Sequence, residues 1–165
     1  MLLSEVTDYA QKRQRNYRTG KYRAHPPCMQ NLPRGDVVPL NFGYTWDDDG
    51  LTLYFHSGLK GKKIDALRAD PRVCFELDTE QGVTGEGDIA CRYSFAFSSI
   101  VGYGSMEFAK TPDEKRKGFD VIMQHQTGRS GFTYNDASLS VAEVFHVRAD
   151  SFEASRKALR PRKPE

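Results

Sequence analysis

The clearest pattern in the chain is a two-residue alternation of apolar and polar positions that begins after Asp36. This period is typical of a β-strand that buries one face. Pro39 falls within the run and cannot donate a ladder hydrogen bond, so we expect the strand to be interrupted there or to lie at a sheet edge. The apolar positions of the run are Val38, Leu40, Phe42, Tyr44 and Trp46.

The next run is predicted to return as the second strand of a hairpin. Residues 47–50 are Asp-Asp-Asp-Gly, a strong turn sequence, and residues 51–56 alternate again. The expected core face carries Leu51, Leu53 and Phe55. The opposite face carries Thr52, Tyr54 and His56.

Three further segments have the alternation of strands. Residues 72–78 and 141–149 predict short strands, and residues 89–108 predict a long β segment rich in aromatic residues. The alternation of this long segment slips near Ser98 and Ser99, which suggests a bulge or a bend. A glycine-rich loop is expected at residues 82–88.

Two segments predict helices between these strands. Residues 58–69 change to a helical pattern. Thr111, Pro112 and Glu114 have the spacing of a capping box with proline at the first helical position, and Gly128 is a candidate terminator. About five strands with two inserted helices predict a mainly β fold, a small barrel with helical additions.

The chain divides into three parts by pattern. Residues 1–35 form a basic, poorly patterned N-terminal segment, residues 36–155 a single folded domain, and residues 156–165 a basic tail. Within the first part, residues 11–33 are rich in polar residues and proline, and we expect them to be irregular or weakly ordered. A chain of 165 residues is too short to make two domains an attractive interpretation.

Composition excludes several classes of function. The net charge is only +2, and the basic excess lies in the two ends, so we expect no nucleic-acid partner. No apolar run is long enough to span a membrane, and the start lacks a signal-peptide pattern, so a cytoplasmic protein is expected. The three cysteines and four histidines show no ligand spacing, and we predict no metal site.

One segment carries candidate chemistry. A predicted strand ends in His56 and Ser57, and a loop with two glycines and three lysines then opens a helix. The N-terminus of a helix attracts anions through its unsatisfied N–H groups and its dipole. Lysines there suit a phosphate monoester, although a solvated lysine loop is an equally open interpretation of these residues alone.

Four ordered motifs resemble the nitroimidazole-resistance branch of the pyridoxamine 5′-phosphate oxidase-like family. They lie at residues 36–44, 53–63, 70–75 and 93–104, and the resemblance covers roughly residues 36–155. It implies a split β-barrel of the Greek-key type and a homodimer, with FMN bound in a cleft between the subunits. Four motifs in the right order are far more specific than a single glycine pattern.

The resemblance also implies roles for individual residues. The backbone at Val38, Pro39, Leu40 and Asn41 would lie along the flavin. The phosphate would be held by Ser57, Lys62 and Lys63, with Ser99 approaching from a neighbouring strand. His56 would lie near the isoalloxazine ring, where it is the candidate catalytic residue because an imidazole exchanges protons near neutrality.

The N-terminal segment departs from the family pattern. The family has a helix and a first strand before the motif that begins at Val38, and residues 11–35 match neither. We therefore expect the barrel to lack that strand. The predicted function is FMN-dependent reduction of a small molecule, such as a nitro compound. Alternatives are a non-catalytic flavin-binding or redox-sensing protein and, less favoured, a haem-binding split barrel.

Overall fold

The structure is a computed structural model that describes residues 28–30 and 37–158. The strands in this part of the chain are β1 Cys28–Gln30, β2 Val37–Pro39, β3 Phe42–Asp47, β4 Gly50–Gly58, β5 Arg72–Thr84, β6 Ser94–Phe108 and β7 Ala142–Lys157. The helices are α1 Lys62–Ala69, α2 Pro112–Thr127 and α3 Asp136–Ser140, with a short 3-10 turn at Ala90–Arg92. The mainly β prediction is confirmed.

The described strands form one sheet in the order β2-β1-β5-β6-β7-β4-β3. Strand β1 pairs antiparallel with both β2 and β5, and β4 pairs antiparallel with both β3 and β7. Strand β2 lies at one edge and ends at Pro39. The predicted interruption at this proline is therefore confirmed, and at the edge its missing N–H leaves no partner strand unsatisfied.

Strand β1 corrects the expectation that the N-terminal segment adds no strand. Cys28 pairs with Pro39 on one side and with Glu76 on the other, so β1 is inserted between β2 and β5. Three residues among prolines are too short to show a period, and pairing with two neighbouring strands outweighs the weak local preference. The rest of residues 11–33, predicted to be irregular, lies outside the described residues.

The described chain separates into two compact units, each with its own packing. The larger unit holds residues 26–76 and 101–152, of which 26, 27 and 31–36 are not described. Its core contains side chains that are fully shielded from water, and the Phe55 and Phe145 rings stack with centroids 5.9 Å apart. Burial of each such side chain contributes about 1.5–3 kcal/mol. The largest are Phe55, Phe75, Phe145, Leu53 and Ile64.

The smaller unit contains described residues 77–100 and 153–158. It holds the C-terminal parts of β5 and β7 and the N-terminal part of β6. The Tyr93 hydroxyl donates to the Gly87 carbonyl at 2.8 Å, and the Thr84 hydroxyl donates to the Ser94 carbonyl at 3.2 Å. Strand β5 continues into the predicted glycine-rich loop, and β7 continues to Lys157, into the predicted tail.

The β3–β4 hairpin has the faces that the sequence predicts. Leu51, Leu53 and Phe55 are buried, at most 4% exposed, on the core face. Helix α2 lies against the other face, where Gly43 leaves no room for a side chain. A Cβ atom at Gly43 would lie 2.5 Å from the Val121 carbonyl oxygen.

Helix α2 begins and ends as predicted. The Thr111 hydroxyl accepts from the Glu114 N–H at 3.2 Å, and the Glu114 carboxylate accepts from the Thr111 N–H at 3.2 Å. Gly128 ends the helix in the left-handed conformation, with φ of 69°.

The short helix α3 was not predicted. Its five residues are capped by the Asn135 side chain, which accepts from the Ser138 N–H at 2.7 Å.

Strand β6 corrects the predicted slip. Burial alternates without a break from Ala96 to Met106, and the inward positions are small residues or aliphatics whereas aromatic residues face outward. At Gly102 the Phe75 ring occupies the space that a Cβ atom would need. The apparent slip arose because the apolar residues of this strand do not mark its core face.

We expect Gly43→Ala to destabilise the protein by about 1–3 kcal/mol, the usual cost of overpacking, because the new methyl group would meet the backbone of α2. Thermal or urea unfolding measures the change. Gly58→Ala is the matched control on the same hairpin, since a Cβ atom there meets nothing within 4 Å. Equal stability of the two variants would contradict the close approach of α2.

Candidate functional site

The candidate anion site is the N-terminus of α1. Gly61 is the N-cap residue with φ of 131°, a conformation that favours glycine, and within the described part of the chain no side chain caps the helix. The Gly61 carbonyl accepts from the N–H groups of Ile64 and Asp65. The earlier N–H groups, at Lys62 and Lys63, have no acceptor inside a helix by geometry. They are therefore available to an anion.

Charge around this helix start is mostly positive. Lys60 and Lys62 are exposed and Lys63 is half-buried, whereas Asp65 is the acidic residue of the first turn. Cationic side chains oppose the positive end of the helix dipole, and each unfavourable charge of this kind amounts to about 0.3–1 kcal/mol. A phosphate bound at this position would attract both the lysines and the helix dipole, and its attraction would offset their mutual repulsion.

His56 and Ser57 lie at the end of β4, just before this helix start. Ser57 is half-buried, and it pairs across the sheet with Glu143. The His56 side chain is partly exposed, and its ring meets the Phe119 ring edge to face with centroids 5.3 Å apart. Burial of the imidazole, and secondarily the charge of Lys63, lower the pKa of His56 below its ordinary value of 6.5. The neutral imidazole therefore predominates at neutral pH.

The predicted backbone stretch connects β2 to β3. Pro39 and Asn41 are exposed, Val38 is half-buried, and Leu40 packs its side chain into the core at 8% exposure. An extended backbone with alternating exposure suits contact with a flat ligand along one side. The structure places these residues in the larger unit, together with His56 and the start of α1.

Ser99 lies in the smaller unit, half-buried on β6. The other candidate residues lie within the larger unit. The role of each candidate, Ser99 included, stays a prediction. The candidates that share the larger unit are Val38, Pro39, Leu40, Asn41, His56, Ser57, Lys62 and Lys63.

Several aromatic contacts around His56 were not predicted. The Phe119 ring of α2 meets His56 and stacks on Tyr134 with centroids 5.6 Å apart. His146 on β7 stacks on Tyr54 at 5.6 Å. Helical spacing reveals which residues face inward, but it does not reveal which residue of a distant strand they contact. No signal in the sequence alone pairs Phe119 with His56.

Two other classes of site are absent from the described residues. Within residues 28–30 and 37–158, no group of three or more His, Cys, Asp or Glu side chains could hold a metal ion. None of the helices found there is long and apolar enough to cross a membrane.

Comparison with known proteins identifies a matching family and similar solved structures. The family model described as pyridoxamine 5′-phosphate oxidase matches residues 30–157. A solved structure of a candidate 5-nitroimidazole antibiotic resistance protein from Bacteroides thetaiotaomicron VPI-5482 is 32% identical, with a TM-score of 0.64 over 80% of this chain and 76% of that one. Comparison with curated proteins finds no match.

More distant structures share the fold. An FAD and heme binding protein from Mycobacterium smegmatis is 17% identical, with a TM-score of 0.62 over 85% of this chain and 69% of that one. A candidate pyridoxamine 5′-phosphate oxidase from Listeria innocua is 16% identical, with a TM-score of 0.55 over 93% of this chain and 98% of that one. The predicted fold, a mainly β split barrel, is thereby confirmed.

Proposed function

The chain belongs to the pyridoxamine 5′-phosphate oxidase family, and on this premise we propose that it binds FMN and reduces a small molecule, with nitro compounds as the substrate class. The observation that carries the proposal is the start of α1. It combines free helical N–H groups with lysines at Lys60, Lys62 and Lys63, as a phosphate monoester requires.

The residues at this site fit the phosphate end of the cofactor. The backbone N–H groups of Lys62 and Lys63 are geometrically free, and the Ser57 hydroxyl lies just before them in the chain. Charge-assisted hydrogen bonds from lysine to a phosphate contribute about 1.5–3 kcal/mol each. A ribityl phosphate would thus be fixed at one end, while the exposed backbone around Pro39 and Asn41 is available to the flat ring system.

A bound flavin supplies transfer of a hydride or of single electrons, and the protein supplies position and electrostatics. We assign proton transfer to His56. Because its pKa is lowered, the imidazole is mainly neutral at pH 7. Reduction of a nitro group consumes protons, so His56 would first take up a proton from solvent and then donate it to the substrate. Phe119 shields one side of the ring from water.

We also propose that the protein is a homodimer whose interface includes the outer face of β6. In the larger unit this strand exposes Val101 and Tyr103, at 38% and 56%. In the smaller unit it exposes Phe95 at 54%. Strand β6 already has a hydrogen-bonded neighbour strand on each side. Its outward aromatic residues can therefore be buried only by an element that packs on the face of the sheet, such as a second subunit. An obligate interface buries on the order of 2,000 Å² or more.

An absorption spectrum of the purified protein tests the cofactor directly. Bands of an oxidised flavin support the proposal, and release of the chromophore followed by chromatography distinguishes FMN from FAD. A haem spectrum, or no visible absorption after incubation with FMN, would overturn it. Flavin bands without turnover of nitro compounds would favour a non-catalytic flavin-binding protein.

Neutralising the lysines of the α1 start should weaken FMN binding about ten-fold or more, because each loss removes a charge-assisted bond to the phosphate. The variants are Lys62→Gln and Lys63→Gln, with affinity measured by flavin fluorescence quenching. Riboflavin, which lacks the phosphate, should lose much less. Lys117→Gln, an exposed lysine of α2, is the matched control. Equal losses for FMN and riboflavin would place the lysines away from the phosphate.

Replacing His56 should separate proton transfer from packing. We expect His56→Gln to retain bound flavin and to lose turnover by about a hundred-fold, the lower end of the usual contribution of a general acid or base. Flavin content and turnover are measured on the same preparation. Loss of the flavin would show that the imidazole serves packing, and unchanged turnover would end its catalytic assignment.

A charge placed on the outer face of β6 should prevent dimerisation. Tyr103→Lys leaves the core intact, because the side chain is 56% exposed in the single chain, but it would bury an unpaired ammonium in the interface. Light scattering at micromolar concentration measures the mass. Val141→Lys, at a residue 66% exposed outside this face, is the control and should remain dimeric. A wild-type protein that is monomeric with flavin bound would refute the interface.

A further inference from the structure

We propose that Phe119 is a positioning residue that fixes the His56 imidazole at the end of β4, and that the stacked Tyr134 ring holds Phe119 in place. The consequence for catalysis rests on the proposed function of His56. The physical claim about the three rings does not depend on it.

The three rings form a continuous series. The His56 and Phe119 centroids are 5.3 Å apart with an interplanar angle of 65°, an edge-to-face contact. The Phe119 and Tyr134 centroids are 5.6 Å apart with an angle of 24°, a stacked contact. Both distances lie within the range that aromatic pairs prefer. Phe119 therefore contacts two neighbouring rings, which restrict its freedom to turn away from His56.

The backbone beneath Phe119 is held in place by the neighbouring glycine. At Gly118 the space for a Cβ atom is filled by the Val144 side chain of β7, and the Tyr54 ring of β4 lies 3.5 Å from that position. Gly43 makes a similar close approach to α2 from β3, at the backbone of Val121 and Ile122. Helix α2 thus packs closely on β3, β4 and β7 at these points, and Phe119 is the residue that follows Gly118 on the helix.

Tyr134 remains neutral throughout the working range of pH. Burial of its hydroxyl, together with the adjacent Asp120 carboxylate on α2, raises the pKa of Tyr134 to about 12. A protonated phenol keeps its ring packed against Phe119 at neutral pH, so this contact does not change with pH where the protein would act.

His56 itself experiences a mixed environment. Partial burial of the imidazole lowers the pKa of His56, and the charge of Lys63 on α1 acts in the same direction. On β7 its cross-strand partner is Val144, with Glu143 and His146 on the residues that pair with Ser57 and Tyr54. Phe119 and Val144 are the uncharged, apolar neighbours among these residues, and Phe119 is the one whose ring contacts the imidazole. Its removal should therefore admit water and favour the protonated imidazole.

The test is the proton NMR titration of His56 in Phe119→Leu and Phe119→Tyr, on the full chain without flavin. In Phe119→Leu we expect the pKa of His56 to move up toward its ordinary value, because the edge-to-face contact is lost. Phe119→Tyr keeps the ring and should retain the wild-type titration. Thermal unfolding of both variants identifies any general loss of structure, and the Phe119→Tyr result keeps the test valid if the leucine variant is unstable.

Phe132→Leu is the matched control. Phe132 lies in the loop before α3, where its ring contacts the Arg129 guanidinium at 5.3 Å, and no ring contact joins it to His56 among the described residues. Its replacement should leave the His56 titration unchanged. Tyr134→Phe should also leave it unchanged, since the contact with Phe119 depends on the ring. A wild-type His56 titration in Phe119→Leu, or the same displacement in Phe132→Leu, would overturn the proposal.

Turnover gives the second measurement. If His56 transfers a proton, Phe119→Leu should lower turnover about ten-fold or more with FMN affinity retained, because a small misplacement of the group is enough. An altered titration with no flavin bound to the wild type would leave Phe119 as the positioning residue and reject the proposed function instead. An unaltered titration in a protein that binds flavin would reject the positioning role alone.

Discussion

The backbone of α2 lies directly on the outer face of the β3–β4 hairpin, and the arrangement of the candidate site depends on that close approach. Gly43 permits this approach, because a methyl group there would meet the backbone of α2, and Gly118 permits a similar approach of α2 to Val144 of β7. The Gln126 amide also donates to the Phe42 carbonyl at 2.7 Å, which fixes the C-terminal half of the helix. At this spacing the Phe119 ring contacts the His56 ring, with centroids 5.3 Å apart.

The lysines at the start of α1 are electrostatically unfavourable, and a bound anion would offset this repulsion. Three lysines surround the positive end of a helix, and the N-cap glycine has no side-chain oxygen to satisfy the free N–H groups. A dianionic phosphate would satisfy the N–H groups and neutralise the lysines together, so its binding energy comes from an arrangement that is unfavourable without it. Burial of the neighbouring imidazole, and secondarily the charge of Lys63, lower the pKa of His56.

Much of the larger unit was predictable because its signals are local. The capping box at Thr111 and Glu114, the Asp-Gly turn and the alternation of residues 51–56 each depend on residues close in sequence, and each is present in the structure. Strand β1 was missed because its three residues are stabilised by pairing with β2 and β5, which local pattern does not reveal. Of the candidate site, the order of His56, Ser57 and the lysines was predictable, but the contact with Phe119 joins residues more than sixty positions apart.

Strand β6 shows why a strand sequence is ambiguous when its outer face is apolar. Alternation is normally assigned by placing the larger apolar residues inward, yet here Gly102 and Gly104 face inward and Val101 and Tyr103 face outward. The inward glycines are required because Phe75 and the backbone of β7 at Arg148 fill the space beside them. A strand in the interior of a sheet with aromatic residues on its outer face gains stability when that face is covered. The inverted pattern that misled the sequence assignment is therefore the pattern expected if a second copy of the chain completes the burial of β6.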